Sequence, residues 1–237
     1  NISKVKNSKW KIITKIKIDK SIHKNKNKNN IVKIIDKKIK KSFDKLKTKK
    51  IYCILISNPE LMIKDKKVAK VIYGYIQDIK KKGYLEKFGY SIYNFNILTN
   101  LIKNFRPDLI QCPYNIFDRR LVEAGHLQKL KKEKILVHVR SIFLQGLLLM
   151  DIYNLPKKFM KWRKLFKNYH KWLQKNDIKA LDACINFASK NRKIDKIIIG
   201  FNNINQLNEI INSKKFKMHY PKKLSSNAQN LINPTTW

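Results

Sequence analysis

The sequence predicts an α/β fold, a parallel sheet covered by helices, on three observations. Six short runs rich in Ile, Val and Tyr have strand length. Between them lie stretches whose apolar residues recur at helical spacing. The strand runs are near-continuously apolar instead of alternating, as strands buried on both faces are. Six strands suit an open doubly wound sheet or six of the eight strands of a closed barrel, and periodicity leaves both open. No Gly-rich loop follows the first run, where Lys15 leads into Ile-Lys-Ile-Asp-Lys, which counts against a dinucleotide-binding open sheet.

In chain order, the strand runs are 11–16, 51–57, 87–93, 109–115, 135–141 and 196–200. The helical stretches are 31–46, 66–82, 96–104, 121–131, 160–190 and 206–212. In the longest, Leu165, Tyr169, Trp172 and Leu173 keep helical spacing, as do Leu181, Ile185 and Ala188. The Lys-Asn run 24–30 reads as a solvated loop with Asn30 as N-cap of the first helix. No linker or fixed-period repeat divides the chain, so residues 1–237 read as one domain. The polar tail 214–237 closes on Leu231-Ile-Asn-Pro-Thr-Thr-Trp237, an apolar anchor expected to dock on the body.

The net charge of +38 comes from 54 basic residues, of which 48 are Lys and only six Arg, beside 35 Ile and six each of Ala, Gly and Pro. Lys, Ile and Asn share AT-rich codons, so one compositional bias accounts for the whole pattern. Readers of nucleic acid favour Arg for its bidentate fork. No specific nucleic-acid partner is therefore expected, and a basic nucleic-acid-binding protein is the alternative that charge alone supports. No apolar run approaches the ~20 residues of a membrane span, so no membrane partner is expected. Three cysteines, odd in number and far apart, point to a reducing compartment and a cytoplasmic location. The five histidines, His23, His126, His138, His170 and His219, lack metal-ligand spacing, so no metal is expected. Cys53 shares a strand face with Leu55 and reads as a small core residue.

In parallel α/β folds ligands sit at strand C-termini. Polar residues ending apolar runs are therefore the candidates for chemistry: Lys15, Ser57, Ser91, Gln111, Arg140 with Ser141, and Asn202 with Asn203. A desolvated Lys can tune a neighbouring acid, and Gln offers both donor and acceptor to an amide. Asp118-Arg119-Arg120 reads as a helix cap followed by ion pairs.

Residues 110–120 (Ile-Gln-Cys-Pro-Tyr-Asn-Ile-Phe-Asp-Arg-Arg) and 137–150 (Val-His-Val-Arg-Ser-Ile-Phe-Leu-Gln-Gly-Leu-Leu-Leu-Met) resemble the aldo/keto reductase superfamily, nearest to bacterial members associated with surface-polysaccharide genes. Ile-Thr-Lys (13–15), Ser-Asn-Pro-Glu (57–60), Gly-Tyr-Ser-Ile-Tyr (89–93), Ile-Ile-Gly-Phe-Asn-Asn-Ile-Asn-Gln-Leu (198–207) and Leu-Ile-Asn-Pro (231–234) follow in the family's order. The resemblance implies a (β/α)8 TIM-type barrel, incomplete, with strands 3 to 8 present and the first two upstream of Asn1. It implies NADP or NAD as cofactor and a small-molecule carbonyl or sugar as substrate. Of the family's Asp, Tyr, Lys and His, the first two would precede Asn1, so the 237 residues alone are expected to be inactive. Lys15 matches the Lys, and Ser57 stands at the His position. Ser91 and Gln111 match the holders of the nicotinamide carboxamide, although Ile92 replaces an Asn common beside that Ser. Arg140 stands where many members stack an aromatic ring. Ser141 and Phe143 match the pyrophosphate loop, and Gly200, Asn203 and Gln206 the adenosine-phosphate segment, with Asn and Gln where NADP-selective members carry basic residues. Ser57 favours a rival reading, a catalytically weakened dinucleotide-binding sensor or scaffold.

Overall fold

All six apolar runs form strands, and helices separate them in the order the periodicity predicts. The computed structural model describes residues 10–18, 22 and 27–237, in two compact units, Asn1–Gln111 and Cys112–Trp237. His23 and the start of the Lys-Asn run lie outside the described residues.

The first unit runs β1 (Ile13–Ile16), α1 (Lys28–Leu46), β2 (Ile51–Ile56), α2 (Glu60–Lys64), α3 (Lys66–Lys81), β3 (Leu85–Ser91), α4 (Leu98–Asn104) and the start of β4 (Leu109–Pro113). Strands β1 to β4 pair in sequence order, all parallel, with Lys15 opposite Leu55, Leu55 opposite Gly89, Gly89 opposite Leu109 and Ser91 opposite Gln111. Because side chains alternate along a strand, this register puts Lys15, Cys53, Leu55, Gly89, Ser91, Leu109 and Gln111 on one face. The opposite face carries Ile54, Ile56, Phe88, Tyr90 and Ile110 and is the helix-covered one. There Tyr73 of α3 meets Phe88 edge-on at 5.8 Å, and the Tyr90 hydroxyl donates to the Phe105 carbonyl at 2.9 Å.

The helices bury apolar stripes at i, i+3 and i, i+4 spacing, Ile31, Ile35 and Ile39 on α1 and Val68, Ile72, Ile76 and Ile79 on α3. The cap of α1 is Asn27, whose Oδ1 accepts the Asn29 N–H at 2.8 Å, not Asn30. Asn30 falls within the first turn, where its side chain has no unbonded N–H ahead of it to accept from. Asp65 caps α3 by accepting from the Lys67 and Val68 N–H groups at 3.0 and 3.1 Å.

Asp108 sets the entry to β4. Its N–H donates to the Phe88 carbonyl at 2.7 Å, its Oδ2 accepts the Phe88 N–H at 2.7 Å, and Lys80 Nζ reaches the same oxygen at 2.5 Å. The second unit repeats the device. Asp195 donates its N–H to the Val137 carbonyl at 2.9 Å, accepts the Val137 N–H at 2.7 Å and holds Lys131 Nζ at 2.8 Å.

That unit runs α5 (Arg120–Glu123), α6 (His126–Lys132), β5 (Leu136–Arg140), α7 (Arg163–Lys175), α8 (Ala180–Ser189), β6 (Lys196–Ile197), α9 (Ile204–Ile211) and α10 (Gln229–Ile232). Strand β5 pairs with β6 in parallel, His138 opposite Lys196. Two predicted single helices are divided. Gly125, at φ 73°, separates α5 from α6. Residues 176–179, with Asp177 at φ 49°, separate α7 from α8, and a short 3-10 turn over Lys157–Trp162 precedes α7. Left-handed backbone cannot continue an α-helix. Strand β6 is shorter than predicted, because 198–200 leave the ladder after Ile198 donates to the Val139 carbonyl at 2.7 Å.

Asp118 and Arg120 form the expected ion pair, with Arg120 Nε on Oδ1 and Nη2 on Oδ2, both at 2.8 Å. Buried Arg119 turns to the tail. Its Nη1 donates to the Tyr220 carbonyl at 3.2 Å and its Nη2 to the Pro221 carbonyl at 2.9 Å. Tyr220, Leu224, Leu231 and Ile232 are buried, and Trp237 meets Phe159 edge-on at 4.8 Å. Cys53, Cys112 and Cys184 are free buried thiols, and burial pushes each up to about 12, so none is a nucleophile at neutral pH. No described helix is long and apolar enough to cross a membrane.

Candidate cofactor and catalytic site

In the first unit the candidates occupy the C-terminal ends of the strands on the face away from the helices. Lys15 is exposed near the end of β1. Ser57 follows β2 directly and is also exposed. Its hydroxyl donates to the Ile16 carbonyl at 3.2 Å, and its N–H reaches the same oxygen at 3.0 Å. The Ser57 proton is thus committed to the β1 backbone, and a substrate carbonyl would have to displace it. Asn58 braces the same corner, accepting the Ile18 N–H at 2.8 Å and donating to the Ile18 carbonyl at 2.6 Å.

Ser91, at the end of β3, and Gln111, in the middle of β4, are register partners, and the Gln111 carbonyl accepts the Ile92 N–H at 2.9 Å. Both side chains are buried, 5% and 3% exposed, in a setting where polar atoms are normally bonded. Gln111 Oε1 accepts no hydrogen bond among the described residues. A buried amide oxygen left unbonded costs about 1–3 kcal/mol. An amide N–H donor from a ligand would remove that cost, so the residues present fit a carboxamide.

Gly89 explains how β3 and β4 come close enough to set that pair. A Cβ there would lie 1.9 Å from the Leu109 carbonyl oxygen. Only glycine permits the approach two residues before Ser91.

In the second unit Arg140, Ser141, Phe143, Gly200 and Gln206 line one cleft of about 590 Å³, together with Asn202 and Glu209. Ser141 begins a loop of left-handed backbone, with φ 56° at Ser141, 47° at Leu144, 55° at Gln145 and 88° at Gly146. Non-glycine residues hold such angles only where the surroundings over-determine them. Here Asn115 Nδ2 donates to the Ser141 carbonyl at 3.0 Å, Leu144, Leu147 and Leu148 are buried beneath, and the Tyr169 hydroxyl donates to the Leu148 carbonyl at 3.2 Å. Arg140 Nη1 donates to Ser141 Oγ at 3.3 Å, joining the strand end to the loop.

Asn203 is not among the lining residues. Its Oδ1 caps α9 by accepting the Gln206 N–H at 2.9 Å, while Gln206 Oε1 accepts the Asn202 N–H at 2.8 Å. This reciprocal pair fixes the helix N-terminus, whose dipole favours an anion. Asn115 and Glu209 are the residues that sequence reading did not single out.

His138 is buried on β5 with Nδ1 unbonded among the described residues, and burial holds its pKa below the usual imidazole value. No group of three His, Cys, Asp or Glu able to hold a metal occurs among the described residues.

Six parallel strands in one sheet, alternating with helices, match an incomplete (β/α)8 barrel. The structure resembles the aldo-keto reductase AKR11C1 from Bacillus halodurans in its holo form, with a TM-score of 0.69 at 16% identity over 100% of this chain and 77% of that one. The apo form of the same protein gives a TM-score of 0.68 at 17% identity, covering 96% of this chain and 73% of that one. At these identities the likeness establishes the fold, of which six strands are described here. No curated protein matches the chain significantly in sequence. The family model for the aldo/keto reductases matches residues 1–223, and the chain belongs to the Aldo/keto reductase family.

Proposed function

We propose that the protein is an NAD(P)-dependent oxidoreductase that moves a hydride between nicotinamide and the carbonyl or alcohol carbon of a small molecule or sugar. The observation that carries this reading is the buried Ser91–Gln111 pair, where Gln111 Oε1 lacks a donor that a nicotinamide carboxamide would supply. The bound dinucleotide would supply the two-electron chemistry. In the first unit Ser91 and Gln111 orient the carboxamide, and Lys15 is a cation on the same sheet face, suited to hold a neighbouring acid in its ionisable range. In the second unit Arg140, Ser141 and the capped N-terminus of α9 hold phosphate, with Phe143 and Gly200 shaping the cleft.

The test is titration with NADH and NADPH, followed by reduction assays on a panel of aldehydes, ketones and reducing sugars. Gln111→Ala should weaken binding by about 0.5–1.5 kcal/mol for each neutral hydrogen bond lost, roughly 2- to 12-fold. Failure of both dinucleotides to bind would refute the proposal. One observation favours a second reading, a dinucleotide-binding sensor or scaffold. The Ser57 hydroxyl is already donated to the Ile16 carbonyl, and a serine there cannot carry positive charge. Tight dinucleotide binding with no turnover of any carbonyl would select that reading.

A further inference from the structure

The second unit has another cleft, of about 560 Å³, between α5, the turn after α8 and the tail segment 219–222. It shares no residue with the cleft of Arg140 and Ser141. Its lining of twelve carries five cations, Arg119, Lys190, Arg192, Lys193 and Lys222, against one carboxylate, Glu123. The cleft of Arg140 holds one cation among fifteen residues, so the lysine excess of the sequence does not charge every cleft alike. Arginine makes the same point. The compositional bias inflates lysine and leaves only six arginines in 237 residues, yet two of the six are here.

The walls are built before any ligand arrives. Arg119 is 7% exposed, and its Nε donates to the Ile116 carbonyl at 2.9 Å while its other two nitrogens hold the Tyr220 and Pro221 carbonyls. Among the described residues it meets no carboxylate at ion-pair distance. A buried cation faced only by carbonyl dipoles is stabilised further by an approaching anion. Its guanidinium lies 5.1 Å from the Phe187 ring, which stacks on Tyr114 at 4.8 Å and meets Tyr220 edge-on at 5.0 Å. The Tyr220 hydroxyl donates to the Ala183 carbonyl at 3.0 Å, tying the tail to α8. Asn191 closes the turn after α8, its Oδ1 accepting the Lys193 N–H at 3.1 Å and its carbonyl the Ile194 N–H at 3.0 Å. That turn presents Arg192 and Lys193 with exposed side chains, unbonded among the described residues.

We propose that this cleft binds a small anion carrying two or more adjoining phosphates, a condensed phosphate or the polyphosphate of a nucleotide. The inference stands apart from the dinucleotide reading above. Its ground is charge density. Five cations and one carboxylate leave an excess of four positive charges. In about 560 Å³, a space roughly 8 Å across, an extended acidic peptide rising ~3.3 Å per residue places two or three residues. Two adjoining phosphates bring roughly three to four negative charges into the same space. Tyr114, Phe187 and Tyr220 are buried against one another and offer no free ring face on which nucleic-acid bases could stack. At about 0.15 M salt, charges beyond roughly 8 Å are largely screened, so the local excess decides.

The experiment is calorimetric titration at about 0.15 M salt with orthophosphate, tripolyphosphate and ATP. It compares the natural chain, the pair Arg192→Gln with Lys193→Gln, and the pair Lys171→Gln with Lys175→Gln, which removes the same charge from α7 outside the cleft. Tripolyphosphate should saturate a single site, at least about fivefold more tightly than orthophosphate. A cation at contact range in water contributes about fivefold, so the first pair should weaken binding about 25-fold, and the second by less than about twofold. Melting temperatures without ligand should agree, since all four side chains are exposed. ATP binding as tightly as tripolyphosphate would support the proposal with a nucleotide as the source of the phosphates, and tripolyphosphate binding alone would support it with a free condensed phosphate. Absence of saturable binding, or an equal loss in both pairs, would overturn it. Displacement of tripolyphosphate by one equivalent of NADH would also overturn it, by placing the anion in the dinucleotide cleft.

Discussion

Replacing Gly89 with alanine should destabilise the first unit by about 3 kcal/mol and loosen the Ser91–Gln111 pair. The added Cβ would sit 1.9 Å from the Leu109 carbonyl oxygen, 2.8 Å from its carbon and 3.0 Å from Leu55 Cδ2. The leucine methyl can rotate aside; the backbone carbonyl cannot. Ordinary contact would require β4 to retreat by more than about an ångström from a ladder whose spacing is fixed near 4.8 Å. Overpacking against side chains costs about 1–3 kcal/mol, and a backbone obstacle lies at the upper end. Alanine also narrows the unfolded ensemble, which offsets about 0.4–1 kcal/mol.

Because a kcal/mol moves the melting temperature of a chain this size by about 2–4 °C, the midpoint should fall by roughly 6–12 °C. Thermal and urea melts followed by circular dichroism measure the first effect, and dinucleotide titration the second. A fall of less than about 2 °C with unchanged binding would refute the claim that a close β3–β4 approach positions Gln111.

Arg119→Met keeps apolar bulk but strands the Tyr220 and Pro221 carbonyls, each bonded to a charged donor worth about 1.5–3 kcal/mol; a loss of about 3 kcal/mol or more and faster proteolysis within 214–237 are expected in limited digestion. Stability should also fall with acid. Burial holds His126, His138 and His170 below the usual imidazole pKa of 6.5, so the unfolded chain binds protons that the folded one refuses. Their contribution is complete above pH ~6.5 and is lost as pH falls below it, by at most about 1.4 kcal/mol per pH unit per histidine. Urea midpoints between pH ~7 and ~5 should show a shallower slope in His138→Phe than in the natural chain.

The strands were legible because an apolar run of five to seven residues leaves few alternatives, and Ser91 and Arg140 do end β3 and β5, whereas Gln111 falls in the middle of β4. Helix boundaries were less so. Amphipathic spacing continues through Gly125 and through residues 176–179, and left-handed backbone, not polarity, interrupts the helices there. Asn115 escaped notice because its work is a bond to a carbonyl 26 residues away. The commitment of the Ser57 hydroxyl to β1 is likewise a long-range contact, across 41 residues, that no local pattern announces. The Asn203 side chain caps α9, and a phosphate there would draw on the same unsatisfied helix N-terminus.

The scarce acids carry a lesson of their own. In a chain with 54 basic residues and 16 acidic ones, a lysine is a poor guide to function, but a carboxylate is informative. Asp108 and Asp195 each pin a strand entry through a backbone pair and a lysine. Asp118 holds Arg120, Asp65 and Asp151 cap helices, and Asp182 accepts the Lys214 N–H at 3.0 Å. Asp36 accepts from Tyr75 at 2.6 Å and Lys40 at 2.9 Å; burial raises its pKa, but these two bonds outweigh it and lower the net value. Asp108, Asp195 and Asp118 do what a lysine or amide cannot, each accepting from a backbone N–H and a cation together.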